Sequence, residues 1–209
     1  MRLFVFGGSG GAGAQVLAQA LGAGHRVTAL ARTPESIPSH ARLAVLRGDV
    51  LEPEGWRGAL AGHHAVLSCL GSPDRRPTTV YSQGIAGIVA ALSDSGVRRL
   101  TCVTSASLGL SPSAPLSQRL LIGRVVRPLY RHMYADMARM EDIVAASDLD
   151  WTIVRPPRLT NGVLTGTYRT AVNGHLPRTR SLSRADLAHY LLNHLDDPVS
   201  RRSRVEISR

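Results

Sequence analysis

The chain has 209 residues, 44% of them apolar, enough for one sizeable core, so a single domain over 1–209 is expected. Its formal charge of +10 comes from 25 basic residues, every one an arginine, and only 4% of residues are aromatic. A habit spread over the whole chain, with few rings to stack bases on, argues against nucleic acid as a partner, and no apolar run reaches the ~18 residues of a membrane span.

The first predicted strand is the apolar run from Arg2, too brief for a signal-peptide core, so a soluble cytoplasmic protein is expected. The run opens into GGSGGAG, Gly7 to Gly13, which fits two motifs. Gly7-x-Ser9-x-Gly11 is a hydrolase nucleophile elbow, and Gly7-x-x-Gly10-x-x-Gly13 is a dinucleotide loop; both require a strand before and a helix after. An elbow also draws part of its oxyanion hole from a loop behind an earlier strand. Here the motif follows the first strand, so Ser9 is not expected to be a nucleophile. The dinucleotide reading accounts for each residue of Gly7, Gly8, Ser9, Gly10, Gly11, Ala12 and Gly13. Glycines allow positive φ, close approach of a pyrophosphate and tight packing of helix on strand, while the helix N-terminus offers amides to the phosphates.

The following helix buries Val16, Leu17, Ala20 and Leu21 on one face and stops at Gly22 and Gly24. The second strand, RVTALAR from Arg26, ends in Arg32 where NAD-specific proteins place an acid. A guanidinium there pairs with an adenosine 2′-phosphate, so NADP(H) is favoured over NAD(H). The third strand ends at Asp49, placed either to bind adenine or to hold a turn. Strands also fit AVLSCLG from Ala65, RLTCVTS from Arg99 and WTIVRPP from Trp151, with helices over 79–95, 134–146 and 184–195, the last capped by Ser183. Cys69 and Cys102 lie in the apolar runs and read as buried core. His63, His64 and His175 have no metal-ligand spacing and are expected at the surface, with no metal. The proline-framed segment 111–132 fits a lid, an oligomer surface or a long connection. Alternating strands and helices give a Rossmann-type, doubly wound α/β fold with a mainly parallel sheet.

Reductases and epimerases of the short-chain type use a Tyr three residues before a Lys. This chain has no lysine, and Tyr134 is followed at the fourth position by Ala138. Simple alcohol chemistry thus lacks its acid and base. Hydride transfer to an electron-poor conjugated ring survives that loss, because the delocalised product takes its proton from water.

The segments GGSGGAG, LAR, GDVLE, RPTTVYSQGIAGIVAALSDSGV, CVTSASL and LDWTIVRPPRLTNGVLTGTYR together resemble the atypical short-chain dehydrogenases of the flavin reductase and biliverdin-IXβ reductase type, in the NAD(P)H-binding, NmrA-like superfamily. The resemblance implies that Gly7 to Gly13 hold the pyrophosphate, Arg32 the 2′-phosphate, and Asp49 and Val50 the adenine edge. Leu70, Gly71, Ser72, Val103 and Thr104 would line the cofactor, and Ser105 would sit beside the nicotinamide, with Pro156 and Pro157 shaping its pocket. Arg158 stands where the biliverdin-reducing relative has His, and would contact an anionic substrate or only the surface. The expected partner is a planar or anionic small molecule, flavin among the substrates, and the protein a monomer or homodimer. Two alternatives remain: a non-catalytic NADP-sensing regulator, as in the nitrogen-metabolite-repression type, and a dedicated biosynthetic enzyme on the same scaffold.

Overall fold

In β1 (Arg2–Phe6), Leu3 and Val5 fall on one face and Phe4 and Phe6 on the other, and all four are fully buried. Side chains alternate across a strand, so both faces of β1 must be covered, as in a parallel sheet between helical layers. The computed structural model, which describes residues 1–72, 76–109 and 115–209, has that arrangement. Strands β2 (Arg26–Ala31), β3 (Leu43–Arg47), β4 (Ala65–Ser68), β5 (Arg99–Val103) and β6 (Asp150–Arg155) all run parallel with β1. Beyond them β7 (Leu159–Thr160) and β9 (Leu182–Ser183) make a separate parallel pair, while β8 (Arg169–Val172) and β10 (Ser203–Ser208) extend the main sheet. The order is β3-β2-β1-β4-β5-β6-β10-β8, with only β8 antiparallel to its neighbour. Strand order reverses between β1 and β4, and ligands of open α/β sheets bind at such a switch, outside the carboxyl ends of the strands.

Two cores follow from the alternation. Helices α1 (Gly11–Gly22) and α6 (Arg184–Asn193) close over Leu3 and Val5 with Val16, Leu17, Ala20, Leu187 and Leu191. On the opposite face α2 (Val80–Ser95) and α5 (Arg131–Ala146) bring Ile85, Ile88, Leu92, Met137, Met140 and Val144 against Phe4 and Phe6. Each of these side chains other than that of Ala20 contributes about 1.5–3 kcal/mol on burial. The strands and helices read from the pattern are all present, with α5 beginning at Arg131 rather than at residue 134. Ser183 caps α6 as expected, its Oγ accepting from the Asp186 amide at 2.9 Å.

The sequence pattern did not give β7 to β10, of which β8 and β10 belong to the main sheet. In SRVEIS only Val205 and Ile207 are apolar, and arginines precede and interrupt the run. Both apolar residues enter the α1/α6 core, and the polar alternates are buried because each is satisfied. Glu206 accepts from the Leu176 amide at 2.7 Å and from His175 at 2.6 Å, and Ser208 Oγ accepts from the Arg180 amide at 2.7 Å.

Of the segment 111–132, residues 111–114 lie outside the described residues. The rest is helical: α3 (Leu116–Leu121), a π-helical turn over Ile122–Val126, and α4 (Arg127–Leu129), running into α5. Arg127 ties it down, donating from Nε and Nη2 to the Ser107 carbonyl at 3.0 and 2.9 Å and from Nη2 to that of Leu108 at 2.9 Å. Among the described residues no helix is long and apolar enough to cross a membrane.

Candidate functional site

The glycine loop joins β1 to α1 at the strand-order switch. Gly7 has φ +76°, and a Cβ there would lie 2.3 Å from the Cys69 carbonyl oxygen, so only glycine fits. Its own carbonyl accepts from the Gly10 amide at 3.0 Å and would lie 2.1 Å from a Cβ at Gly13, which lets the helix sit directly on the turn. Gly8 is buried against Leu17, while Ser9, Gly10 and Gly11 are exposed at the rim. The α1 N-terminus has no capping side chain and no acid in its first turn. Its amides and the positive end of its dipole are thus presented to the rim, the arrangement that receives a phosphate.

Around this turn the structure gathers most of the residues named from sequence. Arg32 is exposed just past β2, with no side-chain partner among the described residues; its carbonyl accepts from Arg47, which also pairs with Glu35. Asp49 holds a turn: Oδ1 accepts from the Leu51 amide at 3.0 Å, and its carbonyl accepts from Trp56 Nε1 at 2.9 Å. Val50 and Leu70 meet over Gly84 of α2, where a Cβ would lie 3.2 and 3.0 Å from them, and together they make an apolar floor. Gly71 is exposed, and the Ser72 amide donates to the buried Tyr81 hydroxyl at 2.9 Å. Burial raises the Tyr81 pKa, so its hydroxyl stays protonated and serves as a fixed acceptor.

Farther along the rim, the Thr104 amide donates to the Val154 carbonyl and the Ala106 amide to that of Pro156, both at 2.9 Å, which lashes the end of β5 to that of β6. This brings Ser105 beside buried Pro156 and half-buried Pro157. Ser105 Oγ accepts from the Ser107 amide at 3.2 Å and so caps the turn Ala106–Leu108. Val103 is buried in the α1/α6 core, and Thr104 turns its hydroxyl to Glu141 at 2.8 Å. Arg158 is exposed, and its carbonyl accepts from the Leu182 amide at 3.1 Å, aligning β7 with β9.

Several residues that shape the site were not read from sequence. Glu141 on α5, 3% exposed, receives Thr104 Oγ1, Arg155 Nε at 2.9 Å and Arg204 Nε at 3.1 Å, joining α5, β5, β6 and β10 behind Ser105. Asp136, also on α5, takes the amides of Tyr81 and Ser82 at the start of α2. Arg184, first residue of α6, lays its side chain against Gly11, and its Nη1 donates to Asn161 Oδ1 at 2.7 Å. Carboxylates at the helical spacing of Met137, Met140 and Val144 were the available sign for Asp136 and Glu141, since acids buried by periodicity need partners. His63, expected at the surface, is half-buried between the Leu60 carbonyl at 3.0 Å and Thr28 Oγ1 at 2.9 Å. His64 accepts from the Arg2 amide and His175 pairs with Glu206, so these rings serve structure. Both cysteines are buried free thiols, and burial pushes Cys69 up to about 12.

The residues present fit a dinucleotide. The glycine turn leaves backbone room where a pyrophosphate would approach, the uncapped start of α1 lies beside it, Val50 and Leu70 lie against Gly84, and the exposed Arg32 stands beyond the second strand. Comparison with known proteins agrees. A family model described as NAD(P)H-binding matches residues 7–198. A 3-beta-hydroxysteroid dehydrogenase of Mycolicibacterium neoaurum is 30% identical over 119 residues, 51% of this chain and 32% of that protein, so the match spans about a third of the relative's length. Solved structures align over the whole chain, two of them as follows. A short-chain dehydrogenase/reductase (wide type) of Veillonella parvula in complex with NADP has a TM-score of 0.84 at 20% identity over 94% of its chain. ChuY, an anaerobillin reductase of Escherichia coli O157:H7, has a TM-score of 0.76 at 21% identity over 97% of its chain. At these identities the structural likeness is one of fold.

Proposed function

The chain belongs to the NAD(P)H-binding family, and from that premise we propose that it is an NADPH-dependent reductase delivering hydride to a conjugated small molecule such as a flavin, a quinone or a linear tetrapyrrole. What supports the reading is the pairing of the glycine turn and the uncapped α1 N-terminus with the absence of a Tyr–Lys acid–base pair, there being no lysine in the chain. An acceptor whose reduced form is a delocalised anion needs no such pair, and the protein then works through binding and orientation. The reductase names of the fold relatives point the same way.

In this reading reduced nicotinamide, when bound, supplies the hydride. Gly7 to Gly13 and the α1 N-terminus hold the pyrophosphate, Arg32 pairs with the 2′-phosphate, and Val50 and Leu70 support the adenine. Ser105 and Pro156, lashed together, set the position of the nicotinamide ring. Arg158, exposed beside them, meets an anionic acceptor. A non-catalytic NADP sensor is the second reading, favoured by the same missing acid–base pair.

The test is NADPH oxidation, with NADH as control, in the presence of FMN, a quinone or biliverdin. Turnover that prefers NADPH is expected, with Arg32→Ala weakening NADPH about tenfold or more and leaving NADH nearly unchanged, the value of one charge-assisted contact. NADPH binding without oxidation on any acceptor would sink the reductase and favour the sensor.

A further inference from the structure

Gly11 opens α1, yet its backbone φ is not in the left-handed region, so the turn does not demand glycine there. What excludes a side chain is Arg184. A Cβ on Gly11 would come within 2.7 Å of Arg184 Nε and 2.9 Å of its Cδ. An arginine from α6, 173 positions along the chain, therefore crosses the first turn of α1, and Asn161 Oδ1 fixes its guanidinium at 2.7 Å.

The electrostatics of this placement are unbalanced within the chain. The helix N-terminus carries partial positive charge, and a guanidinium now stands beside it. Among the described residues nothing anionic offsets either: α1 has no acid in its first turn, Gly10 brings no capping side chain, and Arg184 takes part in no ion pair. Its side-chain partner is the neutral amide of Asn161. Two positive features converging on an open rim make a site for one anion with charge enough for both.

We infer that Arg184 is a pyrophosphate clamp: lying across the first turn of α1, it would bind the bridging phosphates of the dinucleotide together with the amides there, with Asn161 as its positioning residue. The inference rests on the dinucleotide reading of the glycine loop. It adds a contact from the far end of the chain, and it gives Gly11 a reason that the glycine motif does not. Because Asn161 follows β7, closely after Arg158, the clamp also ties cofactor binding to the substrate-side segment.

Calorimetric titration tests it with two ligands, NADPH and adenosine 2′-monophosphate, which keeps the adenine and 2′-phosphate and lacks the pyrophosphate. Arg184→Ala should bind NADPH about tenfold or more weakly with adenosine 2′-monophosphate unchanged, and Arg184→Lys should fall between. Asn161→Ala should weaken NADPH alone by a smaller factor. Unchanged NADPH affinity in Arg184→Ala, or an equal loss for both ligands, overturns the clamp and leaves Arg184 a packing residue. A wild-type protein that binds neither ligand removes the dinucleotide reading itself, and the clamp with it.

Discussion

Replacing Asp136 with alanine tests whether α5 holds the rim end of α2. The carboxylate is 0% exposed; Oδ2 accepts from the Tyr81 amide at 2.9 Å and the Ser82 amide at 3.3 Å, and Oδ1 accepts from the Ser82 hydroxyl and from Arg139 at 3.0 Å. Since α2 has neither a capping side chain nor an acid in its first turn, Asp136 supplies from another helix what an N-cap supplies locally. Alanine would leave two backbone donors and a hydroxyl without partners, at about 1–3 kcal/mol for each buried group. The hydroxyl can rotate toward another acceptor, and the Arg139 pair adds little because that guanidinium is 56% exposed. The expected loss is thus about 3–5 kcal/mol, against a net stability of about 5–15 kcal/mol for a folded domain. For a chain of this size that lowers Tm by roughly 10 °C. Asp136→Asn keeps one acceptor oxygen and should lose about half as much. Urea unfolding followed by circular dichroism gives the free energy if m is unchanged. A loss under about 1 kcal/mol for alanine would refute the cap. Tyr81 also holds the Ser72 amide, so nucleotide affinity should fall along with stability.

Two further substitutions separate steric from electrostatic effects. Gly13→Ala sets a Cβ 2.1 Å from the Gly7 carbonyl oxygen and 2.9 Å from Gly8 Cα, all backbone, whereas a Cβ at Gly22 meets nothing within 4 Å. Gly13→Ala should cost about 1–3 kcal/mol and abolish nucleotide binding, while Gly22→Ala should gain about 0.5–1 kcal/mol; matching urea midpoints would contradict this. His63 is lowered chiefly by burial, with the Arg2 charge in the same direction and the Leu60 carbonyl opposing. The unfolded ring, at about 6.5, binds its proton first as the pH falls. Its contribution is therefore present above that value and is lost as the pH falls through the lower folded pKa. His63→Gln should flatten the decline in Tm between pH 7 and pH 5, and an identical decline in both proteins would remove His63 as its source.

What the sequence made legible was local. Six strands could be read because each packs apolar residues into a short run, and α1 because Val16, Leu17, Ala20 and Leu21 recur at helical spacing and are then buried together. Arg32 and the glycines could be placed because a strand end and a helix start sit next to them in the chain. β10 was hidden because Glu206 and Ser208 look solvated until the segments around His175 and Arg180 supply their partners. Asp136 and Glu141 were hidden for the same reason, since the Ser82 amide and the Thr104 hydroxyl that they bind lie 54 and 37 positions away. No window of sequence contains both ends of such a contact.

Gly11 shows the more instructive failure, in which the right residue was given the wrong cause. The motif counts it among the loop glycines, whose usual reasons are positive φ or a closely approaching backbone, and at Gly7 and Gly13 those reasons hold. At Gly11 neither applies: the space its side chain would take is filled by a side chain, and that side chain is flexible. A methyl group there need not break the turn, because Arg184 can swing away. Gly11→Ala should therefore leave the fold intact and weaken pyrophosphate binding through Arg184, whereas Gly13→Ala damages the turn itself. If Gly11→Ala instead destabilises the protein as much as Gly13→Ala, then the backbone, and not the arginine, set that position, and Gly11 belongs with the turn glycines after all.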